Sequence, residues 1–279
     1  MKLRKNRYGV VGNPVSHSLS PDIHSEFAKQ TKRALTYEKI LCDADEFNST
    51  LNLFFNSGGE GLNITVPYKG LAAEWVDSLA GHAQKTRVVN TVVKRENGFE
   101  GYNTDGIGLM RDLKNKGVRL KGERVLVLGA GGAATGIIPQ IANESPELLR
   151  IANRTLEKAK ILSSSMSSLF PEKDISALAI GQLHETFDVV INATSAGIDG
   201  KRLPIAQEVV KTAFCYDLFY SQNRSTLTPF CSWATKSGAE GISDGLGMLV
   251  EQAAEAFYLW TGDRPSGAEA LKRLETKLS

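Results

Sequence analysis

The segment Val125-Leu126-Val127-Leu128-Gly129-Ala130-Gly131-Gly132-Ala133-Ala134 joins an apolar run to the spacing G-x-G-x-x-A. A strand should precede the motif and a helix follow it, which is the context in which this spacing holds a dinucleotide. Gly129 makes the tight turn, Gly131 lets backbone approach a pyrophosphate, and Ala134 allows close helix–strand packing. Ala130, Gly132 and Ala133 complete the loop, and the helix start supplies N–H groups and a positive dipole end. The alternative is a small-residue turn that serves packing alone.

The end of the next strand selects between the two dinucleotides. NAD sites place Asp or Glu there for the ribose 2′-hydroxyl. Here the residues are Asn153, Arg154 and Thr155, with Lys158 one turn on. Arg154 and Lys158 offer two positive charges to a 2′-phosphate, and Asn153 and Thr155 offer hydrogen bonds. The competing reading is a solvated basic helix start. Cations at a helix N-terminus oppose its dipole, so the placement favours NADP over NAD.

The first half of the chain carries polar residues of a different kind. Gly12 to Pro21 reads GNPVSHSLSP, a hydroxyl-rich loop leading into a helix. Such a loop can hold a carboxylate with its hydroxyls and backbone N–H groups, or Ser20 can simply cap the helix. NITVPYK places Thr65 and Lys69 at the end of a strand, where a solvated lysine is the ordinary alternative. Asn90, in VVNT, and Asp105, in YNTDG, add an amide and a carboxylate.

Alternating strands and amphipathic helices must position these groups, the pattern of an α/β protein. Strands are predicted over 7–12, 35–41, 62–66, 90–94 and 99–102, the last two joined by a Glu96-Asn97-Gly98 turn. Helices are predicted over 20–31, capped by Ser20, over 43–56, capped by Asp43, and over 105–116. A short polar stretch, 118–123, marks a domain boundary. Beyond it come strands at 124–128, 148–152, 187–193, 213–219 and 238–242, and helices at 133–142, 156–167, 246–261 and 266–278.

The 279 residues suffice for two domains, and a net charge of +2 favours a small-molecule partner over nucleic acid or a membrane surface. The basic start, Met1 to Arg7, is followed by too short an apolar run for a signal peptide, and no stretch is long enough for a membrane span. Three distant cysteines (Cys42, Cys215, Cys231) without CxxC give neither a disulfide framework nor a zinc site, so reduced buried thiols in a cytoplasmic protein are expected. The four histidines share no metal-ligand spacing, and no metal is expected.

The segments GNPVSHSLSP, NITVPYK, VVNT, NTDG, GAGGAA, NRT, NATSAG, YDLFY and DGLGMLVEQA occur in one order along nearly the whole chain. In this the sequence resembles the shikimate dehydrogenases. The resemblance implies two α/β domains with the active site in their cleft. A substrate domain spans residues 1–117 plus about 262–279, with the last helix returning to it, and a Rossmann-like NADP-binding domain spans residues 118–261.

It further implies that Ser18, Ser20 and Tyr220 hold a substrate carboxylate. Thr65, Asn90, Asp105 and Gln252 would bind ring hydroxyl and keto groups, and Lys69 paired with Asp105 would be catalytic. Gly129 to Ala134 would bind the pyrophosphate and Asn153, Arg154, Thr155 and Lys158 the 2′-phosphate, while Thr194, Leu218 and Gly245 line the nicotinamide. The implied reaction is reversible, NADPH-dependent reduction of 3-dehydroshikimate to shikimate, a step toward chorismate and the aromatic amino acids, by a monomer or homodimer.

Two rivals are an NAD-dependent quinate/shikimate dehydrogenase, which an acidic residue near Asn153 would have supported, and a non-catalytic NADPH-binding regulator, which loss of Lys69 or Asp105 would have supported. Three positions depart from the family pattern. Arg87-Val88 replaces a usual Gly-Ala pair near Asn90, Lys158 stands where arginine is common, and Leu218 where methionine is frequent.

Overall fold

The computed structural model describes residues 5–194 and 204–278. The start of the basic N-terminal stretch, Met1 to Arg4, and Ser195 to Gly197 of the NATSAG segment lie outside the described residues.

In chain order the first elements are β1 (Asn6–Gly12), α1 (Ser20–Gln30), β2 (Leu35–Leu41), α2 (Phe47–Asn56), β3 (Gly59–Ile64), α3 (Lys69–Trp75), β4 (Ser78–Leu79), α4 (Ala83–Thr86), β5 (Thr91–Arg95), β6 (Gly98–Tyr102) and α5 (Asp105–Asn115). There follow β7 (Arg124–Leu128), α6 (Gly132–Asn143), β8 (Leu148–Asn153), α7 (Leu156–Leu169), β9 (Ile175–Ala179), β10 (Val189–Asn192), β11 (Phe214–Asp217), α8 (Pro229–Lys236), β12 (Gly241–Ser243), α9 (Leu246–Thr261) and α10 (Gly267–Leu278). Among the described residues no helix is long and apolar enough to cross a membrane.

The chain divides into two compact units, Met1–Gly108 with Leu249–Thr276, and Leu109–Met248 with Lys277–Ser279. The boundaries expected from sequence lie at helix ends, whereas the units part inside α5 and α9. Those helices feed two cores: Leu109, Leu113 and Met248 join one, while Val250, Ala253 and Phe257 join another.

The first unit holds a six-stranded sheet in the order β2-β1-β3-β5-β6-β4. β1 runs parallel to β2 and β3, and β5 is antiparallel to both β3 and β6. One core gathers Phe47, Leu51, Phe54 and Phe55 of α2 with Leu62 and Ile64 of β3. A second packs Ile23 and Phe27 of α1 against Val250 and Phe257 of α9 and Ala270 and Leu274 of α10. The C-terminal helix thus returns to this unit, where Arg273 pairs with Glu26 at 2.6 Å.

The second unit holds a sheet in the order β12-β11-β10-β7-β8-β9, every pairing parallel. This is the Rossmann order, with the strand order reversing beside β7. On β7, Val125 and Val127 enter one core with Ile137 and Ile141 of α6, while Leu126 and Leu128 enter the other with Phe230 and Ala234 of α8. A strand buried on both faces must be apolar there, which is why Val125 to Leu128 reads as an unbroken run after the partly exposed Arg124.

Several expected elements shift. Ser20 is not a cap: Leu19 is already in helical conformation, and the Ser20 N–H is taken by the Ser18 hydroxyl at 3.2 Å. Asp43 does not cap α2, which begins four residues later. Its carboxylate accepts from Asn13 Nδ2 at 3.0 Å instead. The strand expected at 62–66 runs Gly59–Ile64, because Thr65 begins the turn that leads into α3. The strand expected at 213–219 contracts to Phe214–Asp217, and that expected at 238–242 shifts to Gly241–Ser243.

Candidate active site

Pro67 follows β3, the Tyr68 N–H turns back to the Thr65 carbonyl at 3.0 Å, and α3 begins at once. Lys69 therefore opens a helix and does not sit at a strand end. Asp105 opens α5, where a carboxylate is favoured by the helix dipole. Lys69 Nζ donates to Asp105 Oδ2 at 2.5 Å, with the two side chains only 15% and 9% exposed. An ammonium has three donors. One is used here, and the other two meet no acceptor among the described residues.

Asn90 lies just ahead of β5, fixed by its N–H to the Tyr102 carbonyl at 3.0 Å. Its Nδ2 stands 2.8 Å from Asp105 Oδ1, 3.0 Å from Thr104 Oγ1 and 3.3 Å from Gln252 Oε1. Its Oδ1 accepts from the Thr104 N–H at 2.8 Å. Gln252, on α9, is held by its own Nε2 donating to the Leu249 carbonyl at 2.8 Å. The Thr65 hydroxyl makes no hydrogen bond among the described residues, and its methyl lies against Gly12. Ser18 Oγ donates to Ser20 Oγ at 3.1 Å at the start of α1, a helix without a side-chain cap. Two adjacent hydroxyls at a helix start can donate to a carboxylate. Lys69, Asp105, Asn90 and Gln252 thus form one cluster, and Ser18 with Ser20 a second.

In the second unit Gly129 takes φ +111°, and a Cβ there would meet the Ala193 carbonyl oxygen at 3.0 Å, so the turn out of β7 requires glycine. α6 starts after Gly131 with no side-chain cap, and nothing stands before Gly131 or Gly132. The helix N–H groups are therefore open to a pyrophosphate. Arg154, Thr155 and Lys158 are exposed around the start of α7, Asn153 Nδ2 donates to the Thr155 carbonyl at 2.9 Å, and neither cation forms an ion pair among the described residues. Thr194 is tied to Asn192 Oδ1 through its N–H (3.1 Å) and its hydroxyl (2.7 Å). The Leu218 N–H donates to the Asn192 carbonyl at 2.9 Å. A Cβ on Gly245 would lie 2.3 Å from the Leu218 carbonyl oxygen, so glycine lets that backbone close on Leu218. Tyr220 stacks on Phe219 with centroids 6.0 Å apart. This arrangement fits NADP: an open helix start for the pyrophosphate and unpaired cations for a 2′-phosphate.

Family models agree with the layout. The shikimate dehydrogenase substrate binding domain matches residues 10–92, shikimate / quinate 5-dehydrogenase matches 112–208, and the shikimate 5′-dehydrogenase C-terminal domain matches 245–274. A shikimate dehydrogenase (NADP(+)) of Alkalilimnicola ehrlichii is 45% identical over 96% of this chain and 98% of its own length. The chain belongs to the shikimate dehydrogenase family. Among solved structures, shikimate 5-dehydrogenase of Thermus thermophilus, in complex with NADP(H) and shikimate, matches with a TM-score of 0.84 and 31% identity over 96% of this chain and 99% of that one. An Ael1 enzyme of Pseudomonas putida matches at 0.88 and 37% over 97% and 98%.

The sequence reading of this shikimate dehydrogenase family member passes over some residues that brace the site. Thr104 contacts both Asn90 and Gln252, and Asn63 donates to the Asn90 carbonyl at 3.3 Å. Both lie inside the motifs NTDG and NITVP, so the signal is present. The departure at Arg87 also has a local consequence. Arg87 closes α4 in the left-handed conformation, φ 55° and ψ 36°, where glycine is unstrained. Arg87→Gly is expected to stabilise the fold by about 1 kcal/mol, read as a small rise in Tm. An unchanged or lower Tm would show that the arginine side chain offsets its own backbone strain.

Proposed function

We propose that this chain catalyses the reversible, NADPH-dependent reduction of 3-dehydroshikimate to shikimate, with Lys69 and Asp105 as its catalytic pair. The observation that carries the reading is the buried Lys69–Asp105 contact with two ammonium donors to spare. The first unit takes the substrate: Ser18 and Ser20 bind its carboxylate, a role assigned also to Tyr220 of the second unit, and Thr65, Asn90, Asp105 and Gln252 bind its ring oxygens. The second unit takes the cofactor through Gly129, Ala130, Gly131, Gly132, Ala133 and Ala134 at the pyrophosphate and Asn153, Arg154, Thr155 and Lys158 at the 2′-phosphate. Thr194, Leu218 and Gly245 face the nicotinamide. NADPH, held by these residues, would supply a hydride to the keto carbon. Lys69 Nζ hydrogen-bonds the keto oxygen, stabilises the negative charge that develops there, and delivers or relays the proton that completes the alcohol. Asp105 holds the ammonium in place through Oδ2. Three buried free cysteines fit work in the reducing cytoplasm, as a monomer or homodimer.

Titrating shikimate and quinate with NADP and NAD, followed at the reduced-nicotinamide absorbance, tests the assignment. Activity with shikimate and NADP supports it, and a preference for NAD overturns the cofactor reading. A guanidinium binds phosphate through two N–H groups and has no such partner in NAD. Arg154→Ala is therefore expected to raise KM for NADP at least about tenfold with little change for NAD. Equal losses for both cofactors would mean that Arg154 does not read the phosphate.

A further inference from the structure

The Asn90 amide that touches Asp105 is itself held from behind. Its Oδ1 accepts from Thr91 Oγ1 at 2.9 Å as well as from Thr104. Thr91 Oγ1 accepts from Asn63 Nδ2 at 3.1 Å, and Asn63 Oδ1 accepts from the Tyr37 hydroxyl at 2.7 Å. The polarity of this chain is fixed. Asn63 Nδ2 also faces the Asn90 carbonyl, so turning the amide over would set two oxygens against each other. Asn63 must therefore present its oxygen to Tyr37, and Tyr37 must donate. Burial pushes the phenol pKa far above its usual value, so that donor is present at every working pH.

The Tyr37 ring is locked in turn. His24 lies flat against it, with centroids 4.3 Å apart and planes 8° apart, and Trp260 covers His24 at 5.3 Å. Burial lowers the His24 pKa to about 3, against the pull of the neighbouring Asn63 side chain, so the neutral imidazole packs on the phenol beside the same amide. The Ser20 hydroxyl stands beside the same phenol.

We infer that Tyr37 is a positioning residue, whose hydroxyl orients the Asn63–Thr91–Asn90 chain and through it the Asp105–Lys69 pair. The inference rests on the proposed reaction. Tyr37 acts through other side chains, since an amide relays orientation but does not readily pass a proton. Its loss therefore weakens the alignment of Lys69 while leaving the ammonium in place.

The test is kcat, both KM values and Tm for Tyr37→Phe, Thr91→Val and the double variant, with shikimate and NADP. Tyr37→Phe is expected to lower kcat about tenfold, with KM for NADP unchanged. Because both substitutions cut one chain, the double variant should lose no more than the worse single. A Tyr37→Phe enzyme with wild-type kcat, whatever its Tm, overturns the inference, as does a double variant whose losses multiply. If Tyr37→Phe does not fold, Thr91→Val carries the same expectation for kcat. A wild-type protein inactive with shikimate would overturn the proposed function instead, so the two failures are told apart.

Discussion

Lys69→Ala is expected to lower kcat at least about a hundredfold, the scale of a lost general acid, with little change in NADPH affinity. The side chain removed is the one cation in contact with Asp105 among the described residues, and its two spare donors have no other duty there. The cofactor groups belong to the other compact unit, so their affinity is a separate readout. The substitution also leaves Asp105, 9% exposed, without its counter-ion. Removing one partner of such a pair destabilises the fold, so the assay belongs at a temperature where the variant's near-native circular dichroism is retained. Stopped-flow reduction under saturating substrate gives the chemical step directly. A folded variant with near-normal kcat removes Lys69 from the mechanism and with it the central claim about this site.

The parts legible in the sequence are those where one physical demand dominates a segment. β7 must be apolar because it is buried on both faces, and Gly129 must be glycine because of its φ. That pair of demands marks the nucleotide site without any partner in view. α9 is bounded to the residue, since its sixteen positions are almost uncharged. Other elements carry weaker local signals. β9, Ile175–Ala179, pairs with β8 alone among the described residues and contains one β-branched residue, so nothing in it reads as a strand. α3 opens without a polar cap and carries Gly70 in its first turn, which hides the helix that Lys69 begins. α8 goes unread despite Thr228-Pro229 at its start, where the threonine hydroxyl accepts from the Cys231 N–H at 3.2 Å. The Tyr37–Asn63 contact is of another kind. It joins β2 to β3, two strands that both pair with β1, and no spacing along the chain announces it.

Asp217 is the position where the second unit should be most sensitive. It ends β11 with no exposure, and its carboxylate collects three donors: Asn192 Nδ2 at 2.9 Å, the Phe219 N–H at 3.2 Å and Thr228 Oγ1 at 2.6 Å. Asn192 in turn fixes Thr194, and the Phe219 N–H adjoins Leu218, so one carboxylate braces two of the proposed nicotinamide contacts. Asp217→Ala strands all three donors. At ~1–3 kcal/mol for each unsatisfied buried group, the loss should exceed about 3 kcal/mol, a fall in Tm of roughly 6 °C or more, with a raised KM for NADPH.

The pH dependence sharpens the expectation. Burial raises the Asp217 pKa from 3.8 to about 6, against the pull of Thr228, Phe219 and Asn192. The folded state therefore binds this proton more tightly than the unfolded chain does, and this group's contribution to stability is largest at low pH. It declines as pH rises from about 4 and is lowest above about 6. Alanine has no such proton to bind. The Tm gap between wild type and Asp217→Ala should accordingly be wider at pH 5 than at pH 7.5, opposite to a carboxylate held ionised by its donors. Thermal unfolding of both proteins at the two pH values decides the sign. A gap that narrows toward pH 5 would mean that the three hydrogen bonds outweigh burial and that Asp217 stays charged throughout.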